Sequence, residues 1–261
     1  LCGTEKSDVC AKEMKTMPFE QTSEAMKSTG KSVCYLTPSQ MTVWGEVMPV
    51  GDRMKLLKDA AREDMLIIED DYNSEFRYYN RPTPSLQGLS GGRGVVYLGT
   101  FSRLLLPSIR MSYMVLPPDL LKRYQERGRF YNQTASKAEQ IALCQFIRDG
   151  HLSSQIRKAR KLYMNKSRAL CEAARCVFED HARVEVCASG LMVRLEIAST
   201  KPVQALLSRA LEAGIAVRAD ENAGEGSTCL LLASAGVPTG NFESAMMDLF
   251  HALADGIIYN R

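Results

Sequence analysis

No stretch of this chain approaches the roughly 18 consecutive apolar residues that a bilayer-crossing helix needs, so the sequence gives no sign of an integral membrane protein. Its first residues lack the basic and apolar regions of a secretory signal. Histidine is scarce, with three residues in the chain, and the eight cysteines form no C-x-x-C pair and no ligand spacing around those histidines. A zinc site is therefore not expected. Excess charge of one sign is also lacking, since 33 Lys and Arg stand against 30 Asp and Glu, for a net +3 and a pI near 8.4. Composition thus gives no argument for attraction to nucleic acid phosphates, and DNA binding is expected only through residues outside this chain. Internal repeats and low-complexity tracts are absent too. Cysteines placed in apolar runs (Cys34, Cys187, Cys229) or in a helical one (Cys144) read as small hydrophobes, which suits a reducing, cytoplasmic setting.

What is present is an ordinary globular composition, 45% hydrophobic and 24% charged over 261 residues, enough for one or two domains with sizeable cores. From Val33 to Val115 short apolar runs alternate with helical stretches: VCYL, a helix over about 53–62, MLII, VVYL and MSYMVL. This is the βα rhythm of a mostly parallel sheet. The runs are continuous, as expected for strands covered on both faces. Helices are predicted over 118–127 and 135–148, and a long basic one over 151–178 with Ile156, Ala159, Leu162, Tyr163, Leu170, Ala173, Ala174 and Val177 at helical spacing. The remainder reads β, β, α, β, β, α over 183–186, 191–196, 203–213, 215–218, 228–233 and 242–258. The domain boundary is placed near Gly150, giving domains 1–150 and 151–261. The first 32 residues are weakly patterned, with a helix expected over 20–27.

Ligands of parallel α/β sheets bind beyond the carboxyl ends of the strands, and three polar runs fall there. Glu69-Asp70-Asp71-Tyr72 follows MLII, Leu98-Gly99-Thr100-Phe101-Ser102-Arg103 ends the VVYL run, and Leu106-Pro107-Ser108-Ile109-Arg110 comes soon after. A carboxylate, a phenol, hydroxyls and two guanidiniums suit a phosphorylated aromatic ligand. With Thr37-Pro38-Ser39 upstream, these segments resemble the aminotransferase-like domain of MocR/GabR-type (GntR family) bacterial regulators, whose pattern reads TPSHQFPTG, EDDYDSEF, VYLGTFSK and LPSLRLGY. The helix pair at QIALCQFIRDGHL and QIRKARKLY extends the resemblance, which covers the chain from about Val33 onward.

The resemblance implies an α/β chain with a partial fold type I large domain of the pyridoxal phosphate (PLP) enzymes, followed by a small α/β domain. In that pattern Asp70 pairs with the pyridinium nitrogen, Tyr72 donates to the cofactor's phenolic oxygen, and Thr100, Ser102 and Arg110 hold its phosphate. Position 103 is the family's Schiff-base lysine, and here it is Arg103, which keeps its proton and cannot condense with an aldehyde. Val43 and Trp44 replace the proline and threonine of the PTG approach to the ring. No arginine lies in Cys229-Leu230-Leu231-Leu232-Ala233, where relatives clamp a substrate carboxylate; Arg194 and Arg218 are nearby but do not match the motif. The resemblance also implies a domain that begins well upstream and a DNA-binding winged helix before it, so the chain is expected to be a carboxyl-terminal part.

Simpler readings stand beside these. An acidic triplet after a buried strand is more often a solvated turn. Arg103 is either a surface arginine paired with Asp70 or Glu75, or a cation holding a phosphate or carboxylate ligand. Ser90-Gly91-Gly92-Arg93-Gly94 lacks a P-loop's GK[ST] and precedes a strand, so it is read as a connection. His151, His181 and His251 are isolated and read as structural, the basic run 157–161 as a solvated helix face, and Met111, Met114, Met246 and Met247 as core. The leading expectation is a catalytically degenerate module for effector sensing and homodimerisation, with PLP binding in doubt for want of the lysine. Its rivals are a PLP-dependent aminotransferase, or a fragment of one, acting on an amino acid with an amine supplied from elsewhere, and a remnant that binds no cofactor.

Overall fold

The computed structural model describes residues 32–42, 45–72, 74–76, 83–128, 130, 134–187, 190–220 and 227–258. The helix expected over 20–27 and the substitutions Val43 and Trp44 lie outside the described residues. Contacts divide the chain into two compact units. The first takes in the described residues of 1–42 with 47–72 and 83–135, and the second 136–261 with 43–46 and 73–82. By this grouping the boundary read near Gly150 falls inside the second unit, because the helix Lys137–Arg148 packs on the helix that follows it, Phe146 meeting His151 with ring centres 5.4 Å apart.

The first unit is built on a four-stranded sheet of β1 (Val33–Leu36), β2 (Leu66–Asp71), β3 (Val95–Thr100) and β4 (Ser112–Val115), in that order. Three strands are parallel, with Val33 opposite Leu66 and Ile67 opposite Val95, and β4 returns antiparallel with Tyr113 opposite Gly99. Helix α1 (Val50–Arg62) starts after the extended Pro49, carries Asp52 in its first turn and Arg62 in its last, and so complements its dipole at both ends. Its inward stripe is Arg53, Leu56 and Ala60. Leu56 and Ala60 pack with Leu36, Met48, Met65, Ile67, Leu86 and Val95.

Arg53 is the exception in that stripe, a cation 1% exposed. Its Nε donates to the Met48 carbonyl at 3.0 Å, one terminal nitrogen to Pro84 at 3.0 Å, the other to Pro38 at 2.7 Å. The first of these nitrogens also stands 3.6 Å from Glu69. Glu69, equally buried, accepts the amides of Leu86 and Gln87, each at 3.0 Å, at the start of α2 (Leu86–Leu89). Burial pushes the Glu69 carboxyl upward, against the two amides and Arg53, which hold it down.

The expectation of strands covered on both faces is corrected. Val33 is 57% and Tyr35 51% exposed, and β4 is exposed along its length, Met114 included. Among the described residues α1 and α2 cover one face, while α3 (Pro118–Gly128) buries no residue. Met111 is buried as expected and Met114 is not.

The second unit holds an antiparallel sheet in the order β5 (Ala182–Val186), β6 (Met192–Ala198), β8 (Ser227–Ala233), β7 (Arg218–Ala219). Its core joins the sheet to α6 (Val203–Glu212), α7 (Phe242–Leu253) and the second half of α5 (His151–Phe178), with α4 (Lys137–Arg148) alongside. Leu170 and Ala174 are buried as the spacing predicts, Ala173 and Val177 are half-buried, and Phe178, outside the expected stripe, is fully buried, but Leu162 is 56% exposed. The core reaches α5 from Ser167 onward, and in the earlier part of the apolar stripe Ile156, Ala159 and Tyr163 are only half-buried. Met247 and Cys144 are exposed as well, which corrects both core assignments.

Removing Arg53 leaves a buried carboxylate and three carbonyls without their cation. Arg53→Ala is expected to cost about 3–5 kcal/mol, read as a lower urea midpoint, whereas Leu162→Ala should stay within about 0.5 kcal/mol.

Candidate functional site

Strands β2 and β3 run parallel with Asp71 opposite Gly99, so their carboxyl ends form one rim. Side chains alternate along a strand, and this splits the acidic run. Glu69 and Asp71 point to the face that α1 covers, and both are buried. Asp71 accepts the Ser39 hydroxyl at 2.8 Å and the Tyr97 hydroxyl at 2.8 Å. Two of the three acids therefore have structural work. Asp70, half-buried, faces the other way and accepts the hydroxyl of Tyr35, which β1 holds on the same face.

The Tyr35 proton is held by burial and by this bond to the Asp70 carboxylate, which together push its ionisation up to about 12. Tyr72 follows immediately, half-buried, with the Arg103 guanidinium 5.0 Å from its ring centre. Burial raises the Tyr72 phenol; Arg103 opposes that rise and Asp70 adds to it. A cation over a phenol ring is favourable by about 0.5–1 kcal/mol at an exposed site. Tyr72 and Arg103 are thus brought together directly.

The loop after β3 is set by its own backbone. Thr100 Oγ1 accepts the Ser102 amide at 3.2 Å and donates to the Met111 carbonyl at 3.5 Å, which also accepts the Phe101 amide at 3.0 Å. Arg110 is exposed and lies just before Met111 in a left-handed conformation, φ 43°, an uncommon one for a residue with a Cβ. Thr100, Ser102 and Arg110 thus sit on one closed loop at the rim, though Arg110 touches none of the other candidates directly. Gly99 meets a different demand: a Cβ there would stand 2.4 Å from Tyr113 Cζ. The Tyr113 ring lies against Phe101 and Tyr97, with centres 5.3 and 6.2 Å apart.

Sequence reasoning missed Tyr35, Ser39 and Tyr97. A signal existed for Tyr35, since a parallel neighbour of β2 must place alternate residues beside Asp70. In the second unit Arg194 and Arg218 both stand opposite Leu231, and Arg194 Nε donates to Cys229 Sγ at 2.8 Å. Among the described residues no His, Cys, Asp and Glu cluster is placed to hold a metal, and no helix is long and apolar enough to cross a membrane.

The rim's chemistry fits a phosphorylated pyridine. It offers a carboxylate for a protonated ring nitrogen, a phenol, two hydroxyls and an exposed guanidinium, but no amine at position 103.

No protein-family model matches the chain. It is 39% identical over 194 residues to the HTH-type transcriptional regulator YdeL of Bacillus subtilis, covering 74% of this chain and 42% of that protein. It is 37% identical over 140 residues to the probable rhizopine catabolism regulatory protein MocR of Rhizobium meliloti, covering 52% and 28%. The chain spans about two fifths of the length of YdeL and of a second B. subtilis HTH-type regulator, YhdI. Similar solved structures include LysN, the α-aminoadipate aminotransferase of Thermus thermophilus (24% identity, TM-score 0.70, covering 90% of this chain and 62% of that one). The multiple substrate aminotransferase of Thermococcus profundus is another (23%, TM-score 0.72, 90% and 60%). These likenesses show the fold.

In an ultraviolet pH titration one tyrosine is expected to ionise near 12, and Tyr35→Phe should remove that component alone. The sign follows from the raised value: the pair's contribution to stability is whole below the ordinary tyrosine value of 10.0 and is lost as the pH climbs through about 12. Burial pushes the Cys34 thiol up to about 11, so maleimide mapping at mildly alkaline pH should label the exposed Cys144 and Cys176 well before Cys34.

Proposed function

The chain is an aminotransferase-like domain of the MocR/GabR type, and from that premise we propose that it is a catalytically degenerate sensing and dimerisation module of a cytoplasmic transcriptional regulator. The observation that carries the reading is the guanidinium of Arg103 lying over Tyr72, where the family's chemistry needs an amine able to lose its proton. A bound PLP supplies an electron-withdrawing ring. Asp70 would hold the ring nitrogen in its protonated form, with Tyr35 fixing one carboxylate oxygen and leaving the other for the ligand. Tyr72 would donate to the phenolic oxygen, and Ser102, Thr100 and Arg110 would hold the phosphate.

Arg103 adds a permanent positive charge beside that ring. Its role in this reading is recognition, so the ligand comes and goes without a covalent bond to the chain. Binding acts by favouring one arrangement of the domains over another. A second copy of the chain and a small effector or amino acid are the partners proposed, with operator recognition left to a winged helix outside these residues.

Titration with PLP, followed by absorbance and by intact mass after borohydride reduction, tests this. The expected outcome is a saturable, reversible spectral change with no stoichiometric adduct. An adduct mapped to one lysine would instead establish the aminotransferase reading, and absence of any binding would remove cofactor recognition. Arg103→Lys is expected to gain an adduct at residue 103 while keeping the native melting temperature within a few degrees.

A further inference from the structure

Helix α5 carries seven cations, Arg157, Lys158, Arg160, Lys161, Lys166, Arg168 and Arg175, and a single carboxylate, Glu172. The whole chain has a net charge of only +3, so the remainder of the molecule is net acidic and the positive charge is gathered on one element. At 3.6 residues per turn, Arg157, Lys161, Arg168 and Arg175 fall within an arc of about 40° and span about 27 Å at 1.5 Å per residue. All four are exposed, and Lys158 lies on the flank of the same side.

Arg160 and Lys166 point elsewhere, to the carbonyls of Glu75 and Ala235. Arg175 anchors its end of the stripe by donating to the Val184 carbonyl at 2.9 Å. Arg168, Cys171, Glu172, Arg175 and Val186 line a groove between α5 and the edge strand β5. Glu185, next to Val186 on β5, is paired with Arg183 at 2.7 Å. Among the described residues neither Arg157 nor Lys161 has a carboxylate partner.

We propose that the stripe Arg157, Lys161, Arg168 and Arg175 is an auxiliary contact for the phosphate backbone of duplex DNA. Three of its four cations are arginines, whose planar fork suits phosphate oxygens. The stripe is straight and long enough to face several phosphates of a duplex, which presents about one negative charge per 1.7 Å of axis. No side chain on it is placed for stacking or base reading, so the contact is indifferent to sequence. The sequence-level expectation that DNA binding lies wholly outside the chain rests on net charge, and net charge averages this helix away. The choice of polyanion rests on the regulator reading above; it is independent of PLP, and its test uses no cofactor.

Fluorescence anisotropy of this chain with two unrelated duplexes of about 20 base pairs, across a salt series, is the experiment. Equal affinity for both is expected, with a log–log salt slope of about −3 to −4, the value for some four phosphate contacts. Arg157→Glu with Lys161→Glu should weaken binding at least about tenfold and flatten the slope by about 2, with the circular dichroism melt unchanged. If that pair disturbs folding, Arg157→Gln with Lys161→Gln should give the same direction with a smaller loss. No binding at about 0.1 M salt, an unchanged slope in folded variants, or tighter binding to phosphatidylserine vesicles than to duplex at equal salt would each overturn the proposal.

Discussion

A buried arginine holds the rim in place. Taking Arg53 and Glu69 out of water is costly, and the cost is offset only because nearly every polar atom of the pair finds a partner: three carbonyls for the guanidinium, two amides for the carboxylate. Those partners belong to the Thr37–Gln40 turn, the approach to α1, the segment before α2 and α2 itself. The cation thereby ties three pieces of chain, and Glu69 a fourth, to the end of β2. The neighbours of Glu69 on that strand, Asp70 and Asp71, inherit a fixed position from it.

On this anchored strand, alternation does the sorting. Asp71 turns inward to Ser39 and Tyr97 and stiffens the rim. Asp70 turns to the open face, where Tyr35 holds one of its oxygens. The Arg103 side chain then lies across the next residue, Tyr72. The rim is therefore an organised surface on which Asp70, Tyr72 and Arg103 are each held by a neighbour, and the proposed sensing role rests on that arrangement.

Much of this was legible in the sequence. Element order, the full span of α5 and the gathering of the candidate residues at the carboxyl ends of β2 and β3 follow from local periodicity and from the rule that ligands meet parallel strands there, although Asp70 and Thr100, expected just after those strands, are within their last two residues. Arg53 was not legible, because two of its three carbonyl partners come from segments 15 and 31 residues away in sequence. It left a trace only as a charge inside an apolar helical stripe. The covering of both sheet faces was misread for a related reason: a continuous apolar run says that a strand can be covered, not what covers it. Leu162, Met114 and Met247 failed likewise, being apolar residues at suitable spacing that stay exposed.

Gly99 and Tyr113 limit what the lineage of this chain can try next. The phenol ring occupies the space that any side chain at position 99 would need, so the glycine can grow only if the ring swings aside or shrinks. Position 103 lies on an exposed loop and is under no such restriction. Drift at this rim is therefore lopsided: the chemistry of the loop can be rewritten by single substitutions, while any side chain added at the strand end beneath it must first move an aromatic ring that packs on Tyr97 and Phe101.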